Sequence, residues 1–161
     1  MNNRDMAATL FNIATLLRDR QDNPYRIRAY ENGARALMGR REDAVATLQD
    51  GDRTLWHRKG VLGDRLQRKL KELAQTGEMT YFQELCADLP PYLVALMTVP
   101  GIGPRTAQRL YETLNIGTPE QLFEAAHSGK LRQLWGFGPK REQQYAQLSL
   151  FDDGEDRRMA A

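Results

Sequence analysis

Apolar residues in this chain return every three or four positions almost from end to end. Met6, Leu10, Ile13 and Leu17 form one such row, Leu66, Leu70 and Leu73 a second, and Leu110, Leu114 and Ile116 close a third. That spacing puts each row on one face of a helix. No stretch alternates apolar and polar residues over a useful length, and β-branched residues are sparse, so there is little from which to build a sheet. The expected fold is all-α.

Helix start and stop signals agree with the rows. Asn23 before Pro24 reads as an N-cap and first helical residue, opening a helix through YRIRAYENGARALM. A short helix is expected from Arg40 to Gln49, stopped by Asp50 and Gly51. Gly63 or Asp64 opens the next, which ends at Gly77, and Thr80 is placed to cap the one after. Pro90 and Pro91 break the chain and begin PYLVALMTV, which sets a boundary between two helical halves. Thr118 and Gln121 form a capping box around Pro119, and Ser128 and Gly129 end that helix. The expected organisation is therefore a helical domain over 1–88, a second over 89–147, and an acidic disordered tail over 148–161, too poor in apolar side chains to fold.

The 161 residues leave little room for a large catalytic core with loops. No apolar run approaches the ~20 residues needed to span a bilayer, and MNNRDMAATLF has no signal-peptide pattern, so no membrane partner is expected and the location expected is cytoplasmic. Cys86 is the single cysteine, best read as a buried filler, and two separated histidines offer no metal cluster. The net charge is only +2, yet residues 1–151 hold 21 basic and 17 acidic side chains while the last ten hold two and four. This mild basic excess of the body permits phosphate binding without requiring it.

One short pattern occurs twice. Gly101, Ile102, Gly103, Pro104 and Arg105 are answered about 35 residues later by Gly136, Phe137, Gly138, Pro139 and Lys140. Proline is tolerated at the first position of a helix, where no backbone N–H is needed. The glycines accept backbone angles closed to other residues, letting the N–H groups of the turn face outward at the positive end of a helix dipole. Such a row suits an anion. Val99 and Ile102 would turn inward and pin the first turn to the core. A lone turn of this kind reads as a plain connector; two copies, each followed by Pro and a cation, suit stacked hairpins touching a phosphate backbone.

VPGIGPRTAQRLYETLNI resembles the helix-hairpin-helix motif of DNA-binding proteins, most closely the form in family X DNA polymerases, the DNA polymerase beta family. LRQLWGFGPKREQQ is similar to the further hairpin of bacterial members. NPYRIRAYENGARAL resembles the 5′-phosphate-binding segment of that family's N-terminal lyase domain, and LQRKLKELAQTGEM the helix carrying its lyase lysine; the resemblance runs from about Asn12 to Gln147. It implies a polymerase-beta-like N-terminal helical domain followed by tandem hairpins. It also implies phosphate contacts at Gly101, Ile102, Gly103, Arg105, Thr106, Gly136, Gly138, Lys140 and Arg141, and a monovalent cation, K+ or Na+, at the backbone of Val99 and Gly101 in the Val99 to Gly103 hairpin; no other cofactor is expected. The polymerase palm of that family, with its three carboxylates, has no counterpart in the short stretch after Gln147.

Aligned on Thr76 and Gly77, the Schiff-base lysine of the family falls on Lys69, with Arg26, Tyr30, His57 and Arg65 as 5′-phosphate pocket candidates. A neutral amine there would attack the aldehyde of an abasic sugar. On a helix Lys69 lies close to the row of Leu66, Leu70 and Leu73, with Arg65 one turn back; partial burial and a nearby guanidinium both lower a lysine pKa. A lysine snorkelling at the edge of a core helix is the simpler account. The family's first hairpin appears here as HRKGVLGDR, keeping only Gly63 and bringing in Asp64.

Gln147 to Phe151 reads QLSLF, which resembles the pentapeptide that docks bacterial repair and replication proteins on the sliding clamp, with Gln147, Leu148, Leu150 and Phe151 as contacts. Alternatively, these leucines and Phe151 finish the last helix against the core. The leading expectation is a nucleoid-associated, sequence-nonspecific bacterial DNA-binding protein of repair or replication, brought to the clamp by its tail. A 5′-deoxyribose phosphate or abasic-site lyase using Lys69 is the second reading, and a protein-interaction module with structural hairpins the third.

Overall fold

The computed structural model describes residues 1–49 and 62–148. His57, Leu150 and Phe151, the expected stop at Asp50 and Gly51, and the acidic tail from residue 149 onward lie outside the described residues. The regular elements among them are all helices joined by turns, with no strand among the described residues. They fall into two compact units that divide between Leu89 and Pro90.

The first unit comprises α1 (Asn3–Asp19), α2 (Pro24–Met38), α3 (Ala44–Gln49), α4 (Asp64–Thr76) and α5 (Thr80–Cys86). Asn2 caps α1 in a capping box with Asp5, and Asn23 caps α2 by accepting the Tyr25 amide at 2.9 Å. Met6, Leu10, Ile13 and Leu17 are almost completely buried, as are Leu37 and Leu70. Helix α1 lies along α2, α3 packs on α4, and α5 returns to α1. Cys86 is a buried free thiol whose pKa burial pushes up.

Two helix starts differ from expectation. Helix α3 begins at Ala44 rather than Arg40, because the Asp43 carboxylate accepts the Val45 amide at 2.9 Å and the Asn3 side chain holds the Glu42 carbonyl and the Ala44 amide, each at 2.8 Å. Thr80 does not cap α5: Met79 stands at that position, and Thr80 gives its amide and hydroxyl to the Glu72 carboxylate.

The second unit comprises α6 (Pro91–Met97), α7 (Pro104–Leu114), α8 (Pro119–His127), a 3₁₀ turn at Leu131–Gln133 and α9 over residues 139–148. Thr118 caps α8 by accepting the Gln121 amide at 3.3 Å, while the Gln121 side chain reaches back to the Gly117 amide rather than to that of Thr118. Leu96, Val99, Ile102, Leu110, Leu122, Leu131, Leu134, Phe137 and Tyr145 build one core. Helices α6 and α7 flank the first glycine turn, while the second lies between the 3₁₀ turn Leu131–Gln133 and α9, so the turn repeats but the element before it differs.

Candidate functional site

The two turns have the same backbone. In the first, the Ile102 N–H donates to the Val99 carbonyl at 3.1 Å; in the second, Phe137 donates to Leu134 at 3.0 Å. The third residue of each turn must then take a left-handed conformation, and Gly101 has φ +82 and Gly136 φ +88. Val99, Ile102, Leu134 and Phe137 are all buried, which fastens both turns to the shared core. Gly103 and Gly138 next accept the first helical bonds, from Ala107 at 2.9 Å and Glu142 at 3.1 Å.

Counting amides decides what each turn offers. Those of Gly101, Gly103 and Thr106 at the first turn, and of Gly136, Gly138 and Lys140 at the second, meet no acceptor among the described residues. Unspent amides at the start of a helix favour an anion. Ile102 is the correction: its side chain is buried and its amide spent on Val99, so it pins the turn and has no group to offer a phosphate. Arg105 is exposed beside the first turn.

Two arginines cross between the turns. Arg141, from α9, donates to the Gly101 carbonyl at 3.2 Å and lies over the Phe137 ring at 4.9 Å. Arg109, from α7, donates to the Trp135 carbonyl. Each hairpin thus supplies a guanidinium to the turn of the other. The Gly101 carbonyl, one of the two backbone positions at which a monovalent ion is expected, already accepts from Arg141.

Behind the second turn, the buried Glu142 carboxylate accepts three bonds from Arg132: from Nε at 2.9 Å, Nη2 at 2.6 Å and the backbone amide at 3.0 Å. The Arg132 bonds hold its pKa below the ordinary carboxylate value.

In the first unit, Arg26, Tyr30, Arg65 and Lys69 line one cavity of about 270 Å³ together with Ala29, Gly63, Leu66 and Tyr81. Lys69 Nζ donates to the Tyr30 hydroxyl at 2.7 Å and stands 3.3 Å from the centre of the Tyr81 ring, which stacks on Tyr30 at 5.9 Å. Burial, with Arg26 and Arg65 nearby, lowers the Lys69 pKa against the opposing pull of Glu84 and Glu72. Burial and Tyr81 push the Tyr30 phenol far up, so it stays a neutral acceptor for the ammonium. Arg26 holds Asp22 at 3.2 Å. Tyr81 is absent from the pocket that the sequence suggests; its position four residues beyond Gly77 carries no signal that its ring covers the amine.

Of the clamp-like segment, Gln147 is exposed near the end of α9 and Leu148 packs partly against the core of the second unit. Among the described residues no helix is long and apolar enough to cross a membrane, and no cluster of side chains could hold a metal ion.

Residues 93–144 match the family model described as a SAM-like helix-hairpin-helix tandem. The DNA polymerase/3′-5′ exonuclease PolX of Bacillus subtilis (strain 168) is 29% identical over 147 residues, which cover 91% of this chain and 25% of that protein. The chain spans about a quarter of the length of that relative. Residues 93–144 thus carry a helix-hairpin-helix tandem, and over most of its length the chain is similar to the N-terminal region of a family X DNA polymerase.

Proposed function

We propose that this protein binds DNA through the phosphate backbone, without reading sequence, by means of its two glycine turns, and that it serves DNA repair or replication. The observation that carries the reading is the set of open amides, Gly101, Gly103 and Thr106 in one turn and Gly136, Gly138 and Lys140 in the other. Nucleic-acid binding is further supported by the helix-hairpin-helix match and the similarity to PolX. Two such turns on one core suit two phosphates, and amides bound to phosphate oxygens carry no base information. Titration of labelled duplexes of unrelated sequence tests this. Affinities should agree within about threefold and fall with salt along a log–log slope of roughly −2 to −4. A salt-independent affinity, or the lack of any complex, would contradict it and leave the hairpins as structural connectors of a protein-interaction module.

A second activity has its own support in the Lys69 cavity. An amine with a lowered pKa, close to Arg26 and Arg65, suits Schiff-base chemistry on an abasic or 5′-deoxyribose phosphate end: the neutral amine attacks the sugar aldehyde, water leaves, and β-elimination releases the phosphate. Borohydride trapping on abasic DNA should give a covalent adduct that is lost in Lys69→Ala; an adduct that persists in that variant rules the assignment out. Docking on the sliding clamp rests on QLSLF alone. Phe151→Ala should abolish co-elution with a bacterial clamp, and unchanged co-elution would remove that part of the proposal.

A further inference from the structure

Trp135 is 88% exposed, more than any other large apolar side chain among the described residues. It stands in the second turn where the first has Pro100, a residue suited to that position because its φ is already set. Nothing in the fold requires an indole there, since Leu134 and Phe137 alone anchor the turn to the core. Isolated apolar residues on a surface are ordinary; the surroundings of this one are not. Its carbonyl is held by the Arg109 guanidinium, and the Phe137 N–H bond to Leu134 closes the turn around it. The ring is therefore carried on a fixed frame, directly before the open amides of Gly136 and Gly138.

We infer that Trp135 is a stacking platform for an unpaired nucleobase, so that the second turn takes a phosphate and the adjoining exposed base together. This rests on the backbone-binding reading above and adds the kind of DNA preferred. Charge favours a nucleotide over an apolar peptide: Arg109, Lys140 and Arg141, which hold or follow the turn, are all cationic, and an apolar partner would leave them unmatched. Bases inside a duplex already stack on their neighbours and present no face. Bases at a fork, gap or single strand do, and aromatic side chains accept any of them.

The experiment compares the full chain on a blunt duplex and on a forked duplex of equal length and composition, both lacking 5′-phosphates so that the Lys69 pocket is given no ligand of its own. The wild type should prefer the fork by about tenfold, the scale of one stacked base. Trp135→Ala should erase the preference while leaving duplex affinity within twofold, and Trp135→Phe should keep most of it. Intact duplex binding with a preference unchanged in Trp135→Ala, or equal weakening on both DNAs, overturns the stacking role alone. Failure of the wild type to bind either DNA overturns the backbone reading and this inference with it. If Trp135→Ala instead disrupts self-association and leaves both affinities intact, the ring covers a protein surface and the inference is wrong.

Discussion

Two ionisable side chains show how single residues are tuned here. Lys69 is disfavoured as an ammonium by burial and by Arg26, so its folded pKa lies below the ordinary 10.5. Between that lowered value and 10.5 the unfolded chain binds more protons at this residue, and stability rises with pH across the window. The same shift sets reactivity. Trapping on abasic DNA should increase with pH from a lower pH than a free lysine allows, and Arg26→Ala should move the profile upward, which a pH series of adduct yield reads out. Glu142 runs the other way. Its carboxylate is stabilised by Arg132, so this stability is present above about pH 4.5 and is lost as pH falls through the lowered folded value. Arg132 is 60% exposed, so solvent weakens its share. Glu142→Ala should cost about 2 kcal/mol in a denaturant melt at neutral pH, and the difference from wild type should shrink in acid.

At the level of the element, the turns divide into positions that hold the backbone and positions that leave amides open. Gly138 has no neighbour within 4 Å of a Cβ and needs no left-handed backbone. Gly138→Glu should therefore melt within about 1 kcal/mol of wild type yet lose most DNA affinity, because it puts bulk and negative charge over open amides. Gly101→Ala is the opposite case: φ is +82 and the new Cβ would stand 3.2 Å from the Tyr145 hydroxyl, so its main effect should be destabilisation of about 1–2 kcal/mol. Arg141 gives a third test. With its guanidinium on the Gly101 carbonyl, affinity should be the same in K+, Na+ and Li+ at equal ionic strength, whereas Arg141→Ala should bring in a dependence on the ion. Much of this level was legible in the sequence, because glycine and proline declare backbone geometry locally: both turns, the start at Asn23 and the stop at Gly77 are written in adjacent residues. The start of α3 has no such local signal, because it depends on Asn3, some forty positions away in the chain. The crossing of Arg109 and Arg141 was hidden for the same reason, since a reach between hairpins has no local signature.

For the whole molecule, the two units carry different features: a cavity around a shifted lysine before Leu89, and paired glycine turns with open amides after Pro90. The pattern of rows announced the helices, and the glycine turns announced the paired hairpins of the second unit. The first unit's cavity was only partly legible. Arg26, Tyr30, Arg65 and Lys69 do come together, but the stacked Tyr30 and Tyr81 that shape the lysine's surroundings arise from tertiary packing of α2, α4 and α5. On the proposed reading the open turn amides meet phosphate, and amide resonances observe those groups directly. In a ¹H–¹⁵N spectrum of the full chain titrated with a short duplex, the amides of Gly101, Gly103, Gly136 and Gly138 should shift together and saturate with one affinity, while Gly77 and Gly129 stay in place. Duplex binding that leaves those four resonances unmoved would contradict the account.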